Sequence, residues 1–329
     1  MRTFAIVIAL LTMLGTASAI SVSMSNDIGN ILTDITGNND ATISVSMIAT
    51  ERGISSNMDG YGDVTIGQSA SGGGQAVQFE SETIGGSMSS EIGATDGGVF
   101  GKMDYEGEEA LSYADVDTLA RNPGLSVAVA GRTASGAVFR INGGTIDATK
   151  VYHINPSANT IISIPNADWA TRYVYQGNYQ SISHNTLRDA VQQSSNFINS
   201  ASGYPLMDGI SEVGSLSWGT YDGKNCVMFV NAGSGTKGKA NVWYDTNSRH
   251  VLDFDIYLNE YYAAEYIIPN QYALDNMKSD GLHEMMHAAG LKDWTAEVYP
   301  GIQRSQTNMG TARWGTSVDR SVLWNNYHL

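Results

Sequence analysis

The sequence predicts an α+β protein in two parts, a β-rich stretch over residues 20–165 and a mixed stretch over residues 166–329. Three observations carry this. Apolar and polar residues alternate with period two through the first part, between Gly-rich turns. Two segments of the second part, residues 183–201 and 274–289, place apolar residues at helical spacing. Four short apolar runs between those segments read as strands.

The chain opens on Arg2, an apolar run over residues 4–14 and the small residues Ala17, Ser18 and Ala19. This is the pattern of a secretory signal peptide over residues 1–19. The run falls short of the ~20 apolar residues that a membrane-spanning helix needs. The mature chain is therefore expected to begin near Ile20 and to be secreted or held at the cell surface. Alternation then runs through Val64, Thr65 and Ile66, through residues 75–81, and through residues 125–129 and 137–141. The string Ile-Ser-Val-Ser-Met at residues 20–24 returns at 43–47, with a looser echo at 84–88, and reads as shared strand composition. Residues 68–74 (QSASGGG) read as a flexible loop, and Gly62-Asp63 as a β-turn.

In the second part, residues 172–175 read as a strand. The first helix follows, with Leu187, Ala190, Val191 and Ile198 on one face; Ser183 or Asn185 can cap it and Gly203 can stop it. Strands are expected at residues 213–218, 226–230, 240–244 and 251–258, the last two joined through Asp245-Thr246-Asn247-Ser248. In the last strand Leu252, Phe254, Ile256 and Leu258 point one way, and Asp253, Asp255 and Tyr257 the other. The second helix gathers Leu282, Met285, Met286 and Ala289 into a core face, with Asn270 or Asp275 as its cap.

Composition excludes several functions. The 329 residues carry a net charge of −15, and residues 20–165 hold 17 acids against 6 bases. A nucleic-acid partner wants clustered Lys and Arg instead. Cys226 is the sole cysteine, so no internal disulfide forms; its apolar neighbours mark it as a buried strand residue. No G-x-S-x-G supports a serine hydrolase, and no Gly-rich phosphate loop follows a strand into a helix.

Residues 283–293, HEMMHAAGLKD, carry the chemistry. His283 and His287 stand four apart, on one face of a helix, and can offer two imidazoles to one cation. Glu284 is rotated about 100° from His283, beside the metal, where it can hold a water. Gly290 can end the helix in the left-handed conformation, and the turn can bring Asp293 back as a third ligand. Two imidazoles, one carboxylate and an open position form the pattern of catalytic Zn²⁺. Zinc makes its water more acidic and polarises a carbonyl, and Glu284 can serve as general base.

These residues resemble the metzincin clan of zinc metallopeptidases, whose motif is H-E-x-x-H-x-x-G-x-x-H. The match covers His283, Glu284, His287 and Gly290; Asp293 replaces the last histidine, as in the snapalysin-like group of secreted proteases. The resemblance spans residues 166–329 and implies a twisted mixed sheet with two long helices, an active-site helix and a Met-turn, for which Met309 is the nominee. It implies a zinc-dependent endopeptidase with Glu284 as base and a protein or peptide substrate. The substrate would lie along an edge strand at residues 240–244, with Val242 and Trp243, beside a pocket walled by Arg313, Trp314 and Gly315. Glu297 and His328 compete with Asp293 for the third ligand position. Asp245, Asp253, Asp255 and Glu260 offer oxygen ligands for a structural Ca²⁺. Residues 20–165 are either a propeptide, with Asp63 as a carboxylate block, or a surface module. The alternative to the enzyme is a non-enzymatic exported surface or adhesion protein with a structural metal site.

Overall fold

The computed structural model describes residues 9–14, 18–37, 41–96, 98–105, 108–109, 124–133, 138–144, 152–166, 171–175, 178–182, 184–232, 236–262, 273–291 and 315–328. Among these, seventeen strands and three α-helices make a mixed α+β protein. The chain divides into two compact units, residues 1–129, 133–150 and 245–247 in the first and residues 130–132, 151–244 and 248–329 in the second. The boundary expected after residue 165 moves back to 150, because strand β11 (Ile161–Pro165) pairs with strands of the second unit on both sides. No helix among the described residues is long and apolar enough to cross a membrane.

The spine of the first unit is a long hairpin, β5 (Gly53–Gly72) and β6 (Gln75–Thr95). Each strand serves two neighbours. The first half of β5 pairs with β4 (Thr42–Thr50) and its second half with β3 (Gly29–Gly37). The first half of β6 pairs with β10 (Val138–Gly144) and its second half with β7 (Gly98–Tyr105). Gly62 and Asp63 form no turn; the register shifts between Gly62 and Val64, with Gly62 at φ 96°, and the hairpin bends at this bulge. The two halves of the sheet then face each other, and a Cβ at Gly101 would meet the Phe79 ring. Ile31, Ile35, Val45, Met58, Ile66 and Ile92 fill the space between them. The expected loop at residues 68–74 is strand up to Gly72; Gln68 and Ala70 point into the core, which binds the segment to the sheet despite its composition.

Polar side chains also lie in this core. Thr33, Ser56, Gln68 and Ser90 are all buried. Thr33 and Ser56 share a hydrogen bond of 3.4 Å, the Gln68 amide donates to Thr33 Oγ1 at 3.3 Å, and Ser90 donates to Gln68 Oε1. The network joins β3 and the second half of β5 to the first half of β5 and the second half of β6, so it crosses from one layer to the other.

Part of the expected leader is also strand. β1 (Ala9–Leu14) pairs antiparallel with β4, from Ala9 opposite Met47 to Leu14 opposite Thr42, and β2 (Ser18–Ser25) pairs with β3. A cut after Ala19 would remove β1 and open that edge of β4.

The second unit is built on a sheet in the order β16 (Thr236–Asp245), β17 (Val251–Asn259), β15 (Cys226–Val230), β11, β14 (Gly209–Val213). All are parallel except β16, which runs antiparallel to β17. The strand expected at residues 213–218 is displaced: the strand ends at Val213, and Trp218 instead packs edge-on against Tyr257 at 4.7 Å. One face of the sheet presents Ile162, Ile164, Val227, Val242, Phe254 and Ile256, all buried. Helices α1 (His184–Ser202) and α2 (Ala273–Ala288) lie within two residues of their expected bounds. They pack on each other, and α2 packs on β17. A third helix, α3 (Ser317–His328), was not expected; it packs on α1. Its start carries a capping signal. Asp319 Oδ2 accepts from Thr316 N at 2.7 Å and Thr316 Oγ1 at 2.9 Å, and Thr316 Oγ1 accepts from Asp319 N at 3.4 Å.

Candidate metal centre

Helix α2 is apolar on the face of Leu282, Met285, Met286 and Ala289, each fully buried. The same helix also buries His283, Glu284 and His287, at 3%, 2% and 1% exposure. Groups of that kind are buried only against compensating partners. Their ligand atoms lie within 4.8 Å of one another, and no other set of three or more His, Cys, Asp or Glu comes together so among the described residues.

The helix ends as the sequence predicts. Gly290 is left-handed at φ 93°. Its N–H donates to His287 O at 2.9 Å, and Leu291 N–H donates to Met286 O at 3.0 Å, the two bonds of a Schellman turn. This turn places the Leu291 carbonyl beneath His287, where it accepts from Nδ1 at 2.9 Å. A carbonyl can only accept, so Nδ1 carries the proton and Nε2 presents its lone pair. That Nε2 lies 3.3 Å from His283 Nε2, with the rings at 89°. Two nitrogens bound tetrahedrally to zinc at ~2.0–2.1 Å stand about 3.3 Å apart, so the pair fits the ion.

Other elements hold this end in place. Ala289 O accepts from Asn326 Nδ2 and from Tyr327 Oη, each at 3.1 Å, and Tyr327 Oη accepts from Ile154 N at 3.1 Å. Burial pushes the Tyr327 phenol well above its usual range, so it remains a donor. On the strand side, β16 meets the helix at Gly238, where a Cβ would lie 2.7 Å from Glu284 Oε1 and 2.9 Å from its Cγ. Sequence reasoning missed Gly238, Asn326 and Tyr327. A glycine inside a strand can signal a close approach, and Thr316 to Asp319 spells the cap of α3.

Asp293, Glu297, Met309, Arg313 and Trp314 lie outside the described residues. His328, weighed as an alternative ligand, stacks on Trp324 at 3.7 Å and is not part of the group. Val242 and Trp243 were expected on an open edge. They are buried, at 1% and 6%, and β16 is not at the edge of its sheet. Gly315 is half-buried beside Phe197.

The four carboxylates proposed for calcium do not gather. Asp253 and Asp255 lie on the sheet face away from the helices, fully buried rather than solvated. The loop of residues 214–225 covers them with its backbone. Gly219 and Thr220 donate to Asp255 at 2.7 and 3.1 Å, and Asp222 and Gly223 donate to Asp253, both at 2.9 Å. Cys226, buried as expected, donates to Asp255 Oδ1 at 2.9 Å. Burial raises the Asp255 carboxyl to about 7, against the Cys226 bond that lowers it, and the Asp253 charge raises it further. The folded protein thus keeps a proton that the unfolded chain gives up near 3.8. Stability from this group is present below that value and is lost as pH rises to about 7, by at most roughly 4 kcal/mol. Thermal unfolding of the Asp255→Asn variant should therefore vary less between pH 4.5 and 7.5 than that of the wild type; an equal slope would locate the proton elsewhere.

Comparison with family models, with curated proteins and with solved structures finds no match to this chain.

Proposed function

We propose that this chain is an exported zinc-dependent endopeptidase whose second unit is metzincin-like. The observation that carries the reading is the 3.3 Å approach of two histidine Nε2 atoms, one of them fixed as a lone-pair donor by the Leu291 carbonyl. A long helix, then strands, then the His-bearing helix follow one another as the resemblance implies, which supports the reading. Two buried histidines beside a buried glutamate, with ligand atoms within 4.8 Å of one another, are the donor set that a cation site offers.

In this reading His283 and His287 hold the ion through Nε2, with Asp293 as the third ligand. Zinc, when bound, supplies a Lewis acid for the scissile carbonyl and a more acidic water. Glu284 takes the proton from the attacking water as the C–O bond forms, and returns it to the amine as the C–N bond breaks. Burial of Glu284 keeps bulk water from competing for that proton.

A second reading, an exported surface protein with a structural metal site, draws on the burial of all three residues and the covered edge of β16. The test is zinc content by mass spectrometry together with casein or gelatin cleavage. Stoichiometric zinc is expected in wild type and in Glu284→Ala, with cleavage that a chelator abolishes and the variant loses by ~10²-fold or more. Folded, zinc-free protein would sink both readings, and zinc without cleavage would select the second.

A further inference from the structure

The first unit carries a trough of 740 Å³ on the outer face of β4, β5, β6 and β7. Register places its residues in rows across the strands. Thr42, Tyr61 and Ser87 form one row, and Ser44, Asp59, Ser89 and Asp104 the next. Short hydroxyl side chains make the floor. Tyr61, 59% exposed, stands above it at one end, and Lys102 stands at the other, 3.5 Å from Asp104.

The chemistry of this surface narrows the ligand. The trough lies on the face of β5 and β6, whose backbones are paired on both sides, so a peptide lying in it cannot extend the sheet there. Hydroxyls and carboxylates interrupt the apolar part of the lining, so a wholly apolar ligand is poorly matched. Asp59 and Asp104 are separated by two strand spacings, roughly 10 Å, and cannot grip one small cation together. With two carboxylates and one lysine, a phosphate-rich chain is repelled. What remains is a ligand with many hydroxyls and one apolar face. Carboxylates and serines accept from and donate to hydroxyls, and an exposed aromatic ring stacks on the C–H face of a sugar. The volume lies within the range of ligand sites, ~300–1,000 Å³.

We propose that this trough binds a neutral glycan chain, with Tyr61 as its stacking platform and Asp59 and Asp104 as its hydroxyl acceptors. The proposal does not rest on the metal centre. Native gel electrophoresis of the full chain in gels cast with hydroxyethyl cellulose, xylan, glycol chitin or dextran tests it. Retardation by at least one polymer is expected, weakened at least tenfold in apparent Kd by Tyr61→Ala and by Asp59→Ala. Tyr221→Ala, in the second unit, should retain wild-type retardation, and thermal unfolding of all three variants should match that of the wild type. Free migration in all four polymers would overturn the proposal, and so would retardation that survives Tyr61→Ala.

Discussion

Substitution of Gly290 by alanine is expected to destabilise the protein by about 3–5 kcal/mol, the steepest single loss in the second unit. Two effects add. An L-residue at φ 93° costs roughly 1–2 kcal/mol in backbone strain. The new Cβ would also land on the Tyr152 carbonyl oxygen and lie 2.9 Å from Asn326 Nδ2, and a backbone atom cannot swing aside as a side chain can. The helix end must then shift, and with it the Leu291 carbonyl that fixes His287. Zinc affinity should fall together with the melting temperature. Gly281, in the same helix, is the control: nothing lies within 4 Å of its missing Cβ, so Gly281→Ala should gain about 0.5–1 kcal/mol. Thermal unfolding of the two variants side by side is the measurement. Equal stability would show that the turn at Gly290 tolerates a side chain, and would remove the Schellman turn from the account of the site.

Gly238→Ala should do the reverse, costing activity and little stability. Its Cβ would press on the carboxyl end of Glu284, at 2.7 Å from Oε1 and 3.0 Å from Cδ. A flexible side chain yields to that contact by turning away. The imidazoles belong to other positions of the helix and stay where they are. The expectation is wild-type zinc content, a melting temperature within a few degrees, and kcat lowered by ~10²-fold, the scale of a misplaced general base. Zinc content separates the possible failures. Loss of zinc would mean that β16 supports the whole centre, whereas unchanged kcat would mean that Glu284 does not act from the position it holds here.

How far the sequence carried this picture depends on what kind of fact was asked of it. Helix α2 and its stop were legible because a 3.6-residue period and one glycine are local properties of the chain. His283, Glu284 and His287 followed from the same period. The layers were not legible. Alternation says that Asp253 and Asp255 share a face, but not that residues 214–225 fold back over it, so carboxylates offered as calcium ligands prove to be buried under backbone N–H groups. Val242 and Trp243 were placed on the right strand but at an edge that the strand does not occupy, since sequence order does not reveal sheet order. Glycine and serine concealed the length of β5, because composition argues for a loop where only the packing of Gln68 and Ala70 argues for strand. Helix α3 could have been found from Thr316 and Asp319, whose spacing is a cap in its own right.

The buried bonds among Thr33, Ser56, Gln68 and Ser90 bear on how the first unit finds its structure at all. A hairpin that slides by one residue turns its apolar side chains outward and is rejected at once. A slide by two keeps every apolar residue inside, and in strands this rich in serine and glycine the hydrophobic effect scarcely tells the two alignments apart. Only an interaction that is satisfied at one alignment and stranded at every other can do so. Gln68 has that property, since a buried amide that loses its partners costs about 1–3 kcal/mol. The network is in that sense an error check: it contributes little to the finished sandwich and a great deal to the improbability of a sandwich that is two residues out.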